Sequence, residues 1–532
     1  MLDLLLRGGR VMDGSGAPWV PGDVAIQDDR IVAVGNLPGV TARRTIDVAG
    51  QVIAPGFIDC HTHSDWSILV NRACDSTVRL GVTTEILGNC GFSHAPLTPH
   101  NRERIGTDLA NSAPGATVTW TTFGEYLDTL ASGGLGGNVS VLVGHGAVRC
   151  AVMGYDEVPA TPDAIANMER LVAQALDEGA LGLSTGLEYL PGRAASAEEL
   201  TAMSRVVART GRVHACHQRT RNEEFEQSIA EIIGICEEAG ARLQLSHNFA
   251  RRGSPPGAWG RVMDQIDAAR RRGLDVSCDT TSYATGLGLM AAVLPPWLFD
   301  EGPAVAAERL AVPAVRERVK NDCSRYWLLI AERQWDKLWL ARTANSNHLF
   351  GKSFVEIGDL LRQDPMDCYL DILHNEGAAI NDAILVGVEN SEPHLHEMMT
   401  HPLYAFEADS WTASATGPLA PLVNHPANFG WTARILGDYV RERHWMPLES
   451  AVHKMTAVPA TKFGFTDRGL LRPGLAADVV VFDPATIQDN GTLERPAQYP
   501  SGISYVFVNG ALTVEQGEHT DARSGQVLRP AH

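Results

Sequence analysis

The chain has 532 residues, 44% hydrophobic and 20% charged, an ordinary balance for a globular protein with ample material for a core. Its formal net charge of −19 argues against nucleic acid or an anionic membrane as a partner. No apolar run reaches transmembrane length, and the nine cysteines fall singly with no CxxC pair, which points to a reducing compartment and so to the cytoplasm.

Residues 1–52 read as short strands punctuated by Gly and Asp turns: LDLLLRGGRVMDG, DVAIQDDRIVAVG, RTIDVAGQVIAPG. Residues 465–532 return to the same texture in AADVVVFDP and SYVFVNGALTVEQGE. Their symmetric placement predicts one small β-sandwich built from both termini. Between them, residues 53–464 alternate apolar strand, chemical residue and helix. The strands are GFID before His61, VTTEIL before Cys90, NVSVLVG before His145, LGLSTG, RVHAC before His217, ARLQLS before His247, LDVSC before Asp279, and PLYAFEA before Asp409. Eight such units predict an α/β fold, a (β/α)₈ TIM-type barrel whose site lies at the C-terminal strand ends. A long excursion over 286–400, with helix-like ERLAVPAVRERVKNDC and FVEIGDLLRQDP, is expected to be an insertion over the barrel mouth. Its Trp297, Trp327, Trp335 and Trp339 are expected to form its core. Residues 431–464 read as two helices covering the barrel.

The chemistry gathers at those strand ends. In an extended strand His61 and His63 share a face, with Asp59 two residues earlier, as a first pair of metal ligands. An HxH alone often means nothing, and a lone cysteine such as Cys90 is usually a buried structural thiol. The register of His217, His247, Asp279 and Asp409 with the same ends favours a metal site, because scattered ligand types would not track strand ends. His145 reads either as an oxyanion-stabilising or orienting group or as a structural hydrogen-bonding residue. Asp279 reads as a residue that orients a neighbour.

GFIDCHTHSD, GVTTEILGNCGFSHAPL, VGHGAVRCAVM, LGLSTGLEYLPG, HACHQR, QLSHN and LRPGLAADVVVFD together resemble the amidohydrolase superfamily. More narrowly, the chain resembles the N-acyl-D-amino-acid deacylases over nearly its whole length, GNCG after GVTT being the more specific signal. The resemblance implies zinc, one or two ions per chain, with Cys90, His217 and His247 as the tight site and His61 and His63 as the HxH. It also implies Asp409 as the catalytic aspartate. Cysteine and histidine ligands suit borderline-soft Zn²⁺ and leave a position open for water. The fourth strand carries Ser184 and no Lys, which disfavours a lysine-bridged two-metal site of the hydantoinase kind and favours Cys90 as the substitute ligand.

The chain departs from the family pattern at three places. SHHK becomes SHNF, so Asn248 and Phe249 replace a His and a Lys that is a candidate partner for a substrate carboxylate. GSDG becomes EADSW, which sets Trp411 beside Asp409. The seventh strand keeps Tyr283 but lacks the adjoining YP. Arg219 is then the expected carboxylate anchor, although a structural ion pair would suit it equally. Tyr189, Tyr283, His145, Phe249 and Trp411 complete the expected substrate contacts, with packing the alternative for the two tyrosines. The expected function is hydrolysis of a linear amide, foremost an N-acyl-D-amino acid. The alternatives are an amidase for a hydrophobic amide without a free carboxylate, and a catalytically inactive barrel serving as a scaffold. The expected partner is a small-molecule amide; a homo-oligomer is left open.

Overall fold

A computed structural model describes residues 2–155, 158–323 and 328–530. Eight parallel barrel strands run in chain order. They are Phe57–Asp59, Val82–Leu87, Asn138–Val141 resuming as Val143–Gly144, Gly182–Gly186, Val213–His217, Arg242–Leu245, Val276–Thr281 and Tyr404–Glu407. Neighbours pair in parallel register around the ring. It closes where His63 N donates to Ser410 O at 2.7 Å and Asp409 N to His61 O at 3.1 Å. The strands are buried almost throughout, their polar residues such as Thr84, Asn138, Ser184 and Gln244 included.

Helices between the strands are set by local chemistry. Pro162–Asp177 starts with Thr161 Oγ1 accepting from Ala164 N at 3.2 Å and with proline in its first turn. Ile165, Met168, Val172 and Leu176 recur at helical spacing and are buried against the barrel. Each such side chain contributes roughly 1.5–3 kcal/mol when fully removed from water.

Both termini enter one nine-stranded sheet. Strands Leu2–Val11, Val20–Gln27, Arg30–Gly35, Ala42–Asp47 and Val52–Pro55 come from the beginning of the chain. Val479–Phe482, Ile503–Val508, Ala511–Glu515 and Glu518–His519 come from its end. The seam is the antiparallel pair Val52–Pro55 with Val479–Phe482, so the terminal unit reaches past residue 52. Leu6, Val24, Ile26, Ile53, Val479 and Phe507 form its core. The end of the described chain lies along the third barrel strand, with Leu528 N donating to Val139 O at 2.7 Å.

Arg468 and Asp478, each 4% exposed by side chain, form an ion pair within the C-terminal segment, where it meets the barrel. Asp478 also accepts from Asn138 Nδ2 at 3.1 Å and Asn509 N at 2.7 Å. Removing one partner strands the other charge in a buried setting. Arg468→Ala is therefore expected to cost about 3–5 kcal/mol, read as a fall in the denaturation midpoint. An unchanged midpoint would mean that water reaches Asp478.

The insertion has its own three-stranded sheet, Thr285–Leu289, Leu338–Arg342 and Ile384–Val388. Its core includes Leu298, Leu310, Trp335, Phe354, Tyr369 and Leu385. Trp297 and Trp339 are only partly buried, and Trp327 lies outside the described residues. The excursion ends earlier than the expected 400. Helix Glu392–Thr400 buries Leu395, Met398 and Met399 in the barrel core, which makes it the helix leading into the last strand. The expected two helices over 431–464 are further divided. Ala427–Arg434 runs into a π-helical stretch Ile435–Glu442, then come Leu448–Met455 and Ala457–Phe463.

Candidate metal and substrate site

Cys90 lies three residues past the second strand, in a turn whose glycines are required. A Cβ on Gly88 would meet Leu142 O at 2.0 Å, and one on Gly91 would meet Gly186 N at 2.8 Å. The turn therefore presses its backbone against the third and fourth strands and turns the thiol inward. Cys90, His247 and Asp409 all adopt positive φ, at 55°, 34° and 45°. Such backbone is sparsely populated for residues with a Cβ, and its concentration at three strand ends fits a functional constraint.

The side chains converge on the sulfur. His61 Nε2 lies 3.2 Å from Cys90 Sγ, His247 Nε2 3.4 Å and His217 Nδ1 3.6 Å. Asp409 Oδ1 is 3.2 Å from His63 Nε2 and 3.5 Å from His61 Nε2. Two groups of ligand atoms are close enough to share a cation, His61/Cys90/His247 and His61/His63/Asp409, with His61 common to both. Burial disfavours a thiolate, yet the His61 and His247 imidazoles and the His217 contact pull the Cys90 thiol well below its ordinary value. Thiolate is the form that ligates metal. His247 is pushed down to about 4, by burial first and then by Arg221, which keeps its imidazole neutral as a metal ligand must be. Burial also opposes charge on Asp409, but the His63 hydrogen bond and the nearby imidazoles hold its carboxyl well below the usual carboxylate range. His61 turns Nε2 to Cys90 and Asp409, while its Nδ1, without a hydrogen bond among the described residues, lies 3.7 Å from Asp279 Oδ1. This donor set, a thiolate with imidazoles and one carboxylate, fits a zinc ion.

Carboxylates hold the imidazoles in place. Asp279 Oδ1 accepts from His247 N at 2.5 Å and lies 3.7 Å from His61 Nδ1. Glu188, which the sequence reading passed over, lies 2.9 Å from His217 Nε2 and so leaves Nδ1 for the site. Arg251 Nη1 reaches Glu188 at 2.6 Å and Arg221 Nη2 at 3.6 Å. Arg221 Nη1 also stands 3.1 Å from His247 Nδ1. The available signal was an acidic residue at a strand end, beside the Tyr189 that was chosen instead.

The expected substrate contacts divide. Tyr189 and Phe249 flank the ligands. Tyr189 stands edge-on to His217 at 5.0 Å and its hydroxyl donates to Cys90 O at 2.8 Å. Phe249 is 6.5 Å from the His247 ring, under the Arg221 guanidinium, and 2% exposed. Trp411 packs against Trp66 at 5.4 Å, and its indole N–H is buried without a partner among the described residues. Three expectations are corrected. Arg219 is no free anchor: it grips Glu231 at 3.0 and 2.9 Å and donates to Arg193 O and Ala195 O. His145 gives Nε2 to Glu199 at 2.8 Å, both side chains fully buried, and so is structural. Tyr283 donates its hydroxyl to Asp489 at 2.8 Å.

The geometry has counterparts among known proteins. The profile of the Amidohydrolase family matches residues 44–291 and 367–514. D-aminoacylase of Alcaligenes xylosoxydans xylosoxydans is 32% identical over 99% of this chain and 97% of its own length. N-acyl-D-glutamate deacylase of the same organism is 31% identical over 99% and 96%. A crystal structure of N-acyl-D-glutamate deacylase from Bordetella bronchiseptica contains zinc and a phosphonate that mimics the tetrahedral intermediate. It superposes with a TM-score of 0.82 at 30% identity, over 99% of this chain and 100% of that one. With the barrel, the converging ligand types and these matches in agreement, the chain belongs to the amidohydrolase family.

Proposed function

We propose that the protein is a zinc-dependent hydrolase of linear amides that deacylates N-acyl-D-amino acids. The observation that carries this is the meeting of His61, His217 and His247 on the Cys90 sulfur, with Asp409 held on His63. Cys90, His61, His63, His217 and His247 would hold the metal, as one or two ions. A zinc ion bound there supplies Lewis acidity toward the amide carbonyl and acidifies water. Asp409, its side chain 34% exposed, stands where it can accept a proton from the attacking water and pass it to the departing amine. The C–N bond breaks, leaving a carboxylate and a free amine. Glu188 and Asp279 keep His217 and the His247 backbone in register meanwhile.

A second reading, an amide without a free carboxylate, is favoured by one observation. The arginines nearest the site are already paired with carboxylates: Arg219 with Glu231, Arg251 and Arg221 with Glu188. A panel pairing N-acetyl-D- and L-amino acids with neutral anilides separates the readings. D-selective turnover supports the first, turnover of anilides alone supports the second, and turnover of neither overturns both. Because Arg219 is spent on Glu231, Arg219→Ala is expected to shift KM for charged and neutral amides alike. A selective rise for carboxylate-bearing substrates would restore Arg219 as the anchor.

No helix among the described residues is long and apolar enough to cross a membrane. All nine cysteines are free, which supports the cytoplasm as the working compartment.

A further inference from the structure

Phe92 follows the Cys90 turn directly and is 50% exposed; single exposed apolar side chains are common on a protein surface, but this one stands beside the ligand residues. Its position is fixed from below. The ring stacks on Tyr189 with centroids 5.1 Å apart and planes within 8°. Tyr189 is in turn anchored by its hydroxyl to Cys90 O at 2.8 Å. Phe92 also stands edge-on to His63 at 6.1 Å, and His63 carries Asp409. An open aromatic ring is thus held, on a rigid backing, one residue's width from the proton-transfer pair.

We propose that Phe92, backed by Tyr189, is the seat of the substrate's acyl group and selects planar or apolar acyl chains. This rests on the amide-hydrolase reading above and deepens it. An N-acyl amino acid has one charged half, the carboxylate-bearing amine, and one neutral half, the acyl group. The ring contacts of Phe92 are to Tyr189 and His63, with no arginine or lysine over its face among the described residues. The neutral half is therefore the one this surface fits, and an aromatic acyl group adds offset-stacking attraction to plain burial.

Phenylacetate and acetate are the probes, since they share a carboxylate and differ by a ring. Binding of each to the zinc-loaded enzyme is measured by calorimetry, for wild type and Phe92→Ala, with zinc content and thermal midpoint recorded. Wild type is expected to bind phenylacetate about ten-fold more tightly than acetate, and Phe92→Ala to bring the two close to parity. Should the alanine variant misfold, Phe92→Leu, which keeps bulk but loses the ring, is expected to reduce the preference by about half that factor on a logarithmic scale. A preference that survives loss of the ring, or is absent from wild type, overturns the proposal. In turnover, the ratio of kcat/KM for N-phenylacetyl over N-acetyl substrates is expected to fall in parallel in the variant. If no amide is hydrolysed while the phenylacetate preference stands and depends on Phe92, the ring site is supported and the deacylase reading falls.

Discussion

Asp409→Asn is expected to lower kcat by about 10²- to 10⁴-fold, the range that a positioned proton donor and acceptor contributes. The substitution isolates that role. Asparagine tolerates left-handed backbone better than most residues, so the φ of 45° at this position does not by itself threaten the fold. The amide keeps an oxygen acceptor for His63 and His61, which lie 3.2 and 3.5 Å from Asp409 Oδ1. What it loses is the ability to take up and release a proton. The carboxyl is held well below the ordinary range by His63 and the neighbouring imidazoles, so it is ionised throughout the neutral range, the form from which a proton acceptor starts. Zinc content measured on the same preparation separates the two ways activity can fall. A loss of rate with zinc retained fits proton transfer. A variant that turns over within a few-fold of wild type would remove Asp409 from the proton path.

Cys90→Ser is the second large effect, and it acts on the metal. The sulfur lies within 3.6 Å of ring nitrogens of His61, His217 and His247. A serine hydroxyl is not ionised near neutral pH and is a harder ligand, so the thiolate contribution is lost rather than weakened. If four ligands share the roughly 10–16 kcal/mol of a closed zinc site, removing one costs about 3 kcal/mol, or on the order of a hundred-fold in affinity. Competition with a chelator of known affinity reads this directly. Turnover by the variant should recover in part as free zinc is raised. Unchanged zinc affinity would leave Cys90 a packing residue, and the site would have to rest on His61, His63 and Asp409.

Much of this was legible in the sequence because strand ends leave a mark. Seven of the eight apolar runs end in chemistry, the fourth excepted, and their succession gave the barrel its order; His61 and His63 lie just past the strand Phe57–Asp59, so alternation alone did not place them. Cys90 was harder, since a thiol between two glycines looks structural. Only the contacts of Gly88 and Gly91 show why the turn needs those glycines. The errors share a cause, which is that reaching a strand end does not say where a side chain points. His145 opens a helix and finds Glu199 on a neighbouring one. Arg219 finds Glu231, twelve positions on, in the helix that folds back beside it. Glu188 was invisible for the complementary reason, because its value lies in touching His217 across a strand boundary. The insertion was recognised by its length, but the polar texture of Glu392–Thr400, with five polar residues in nine, hid where it ends. Only packing reveals that its apolar side belongs to the barrel.

The central claim is that these ligands hold zinc and that amide hydrolysis depends on it. The most direct test is metal analysis of the purified protein, with hydrolysis of an N-acetyl-D-amino acid followed through chelation and stepwise return of zinc. One or two zinc ions per chain are expected, with loss of turnover on chelation and recovery as the first equivalent is restored. Turnover that persists in fully chelated protein, or a purified chain that takes up no zinc, would contradict it.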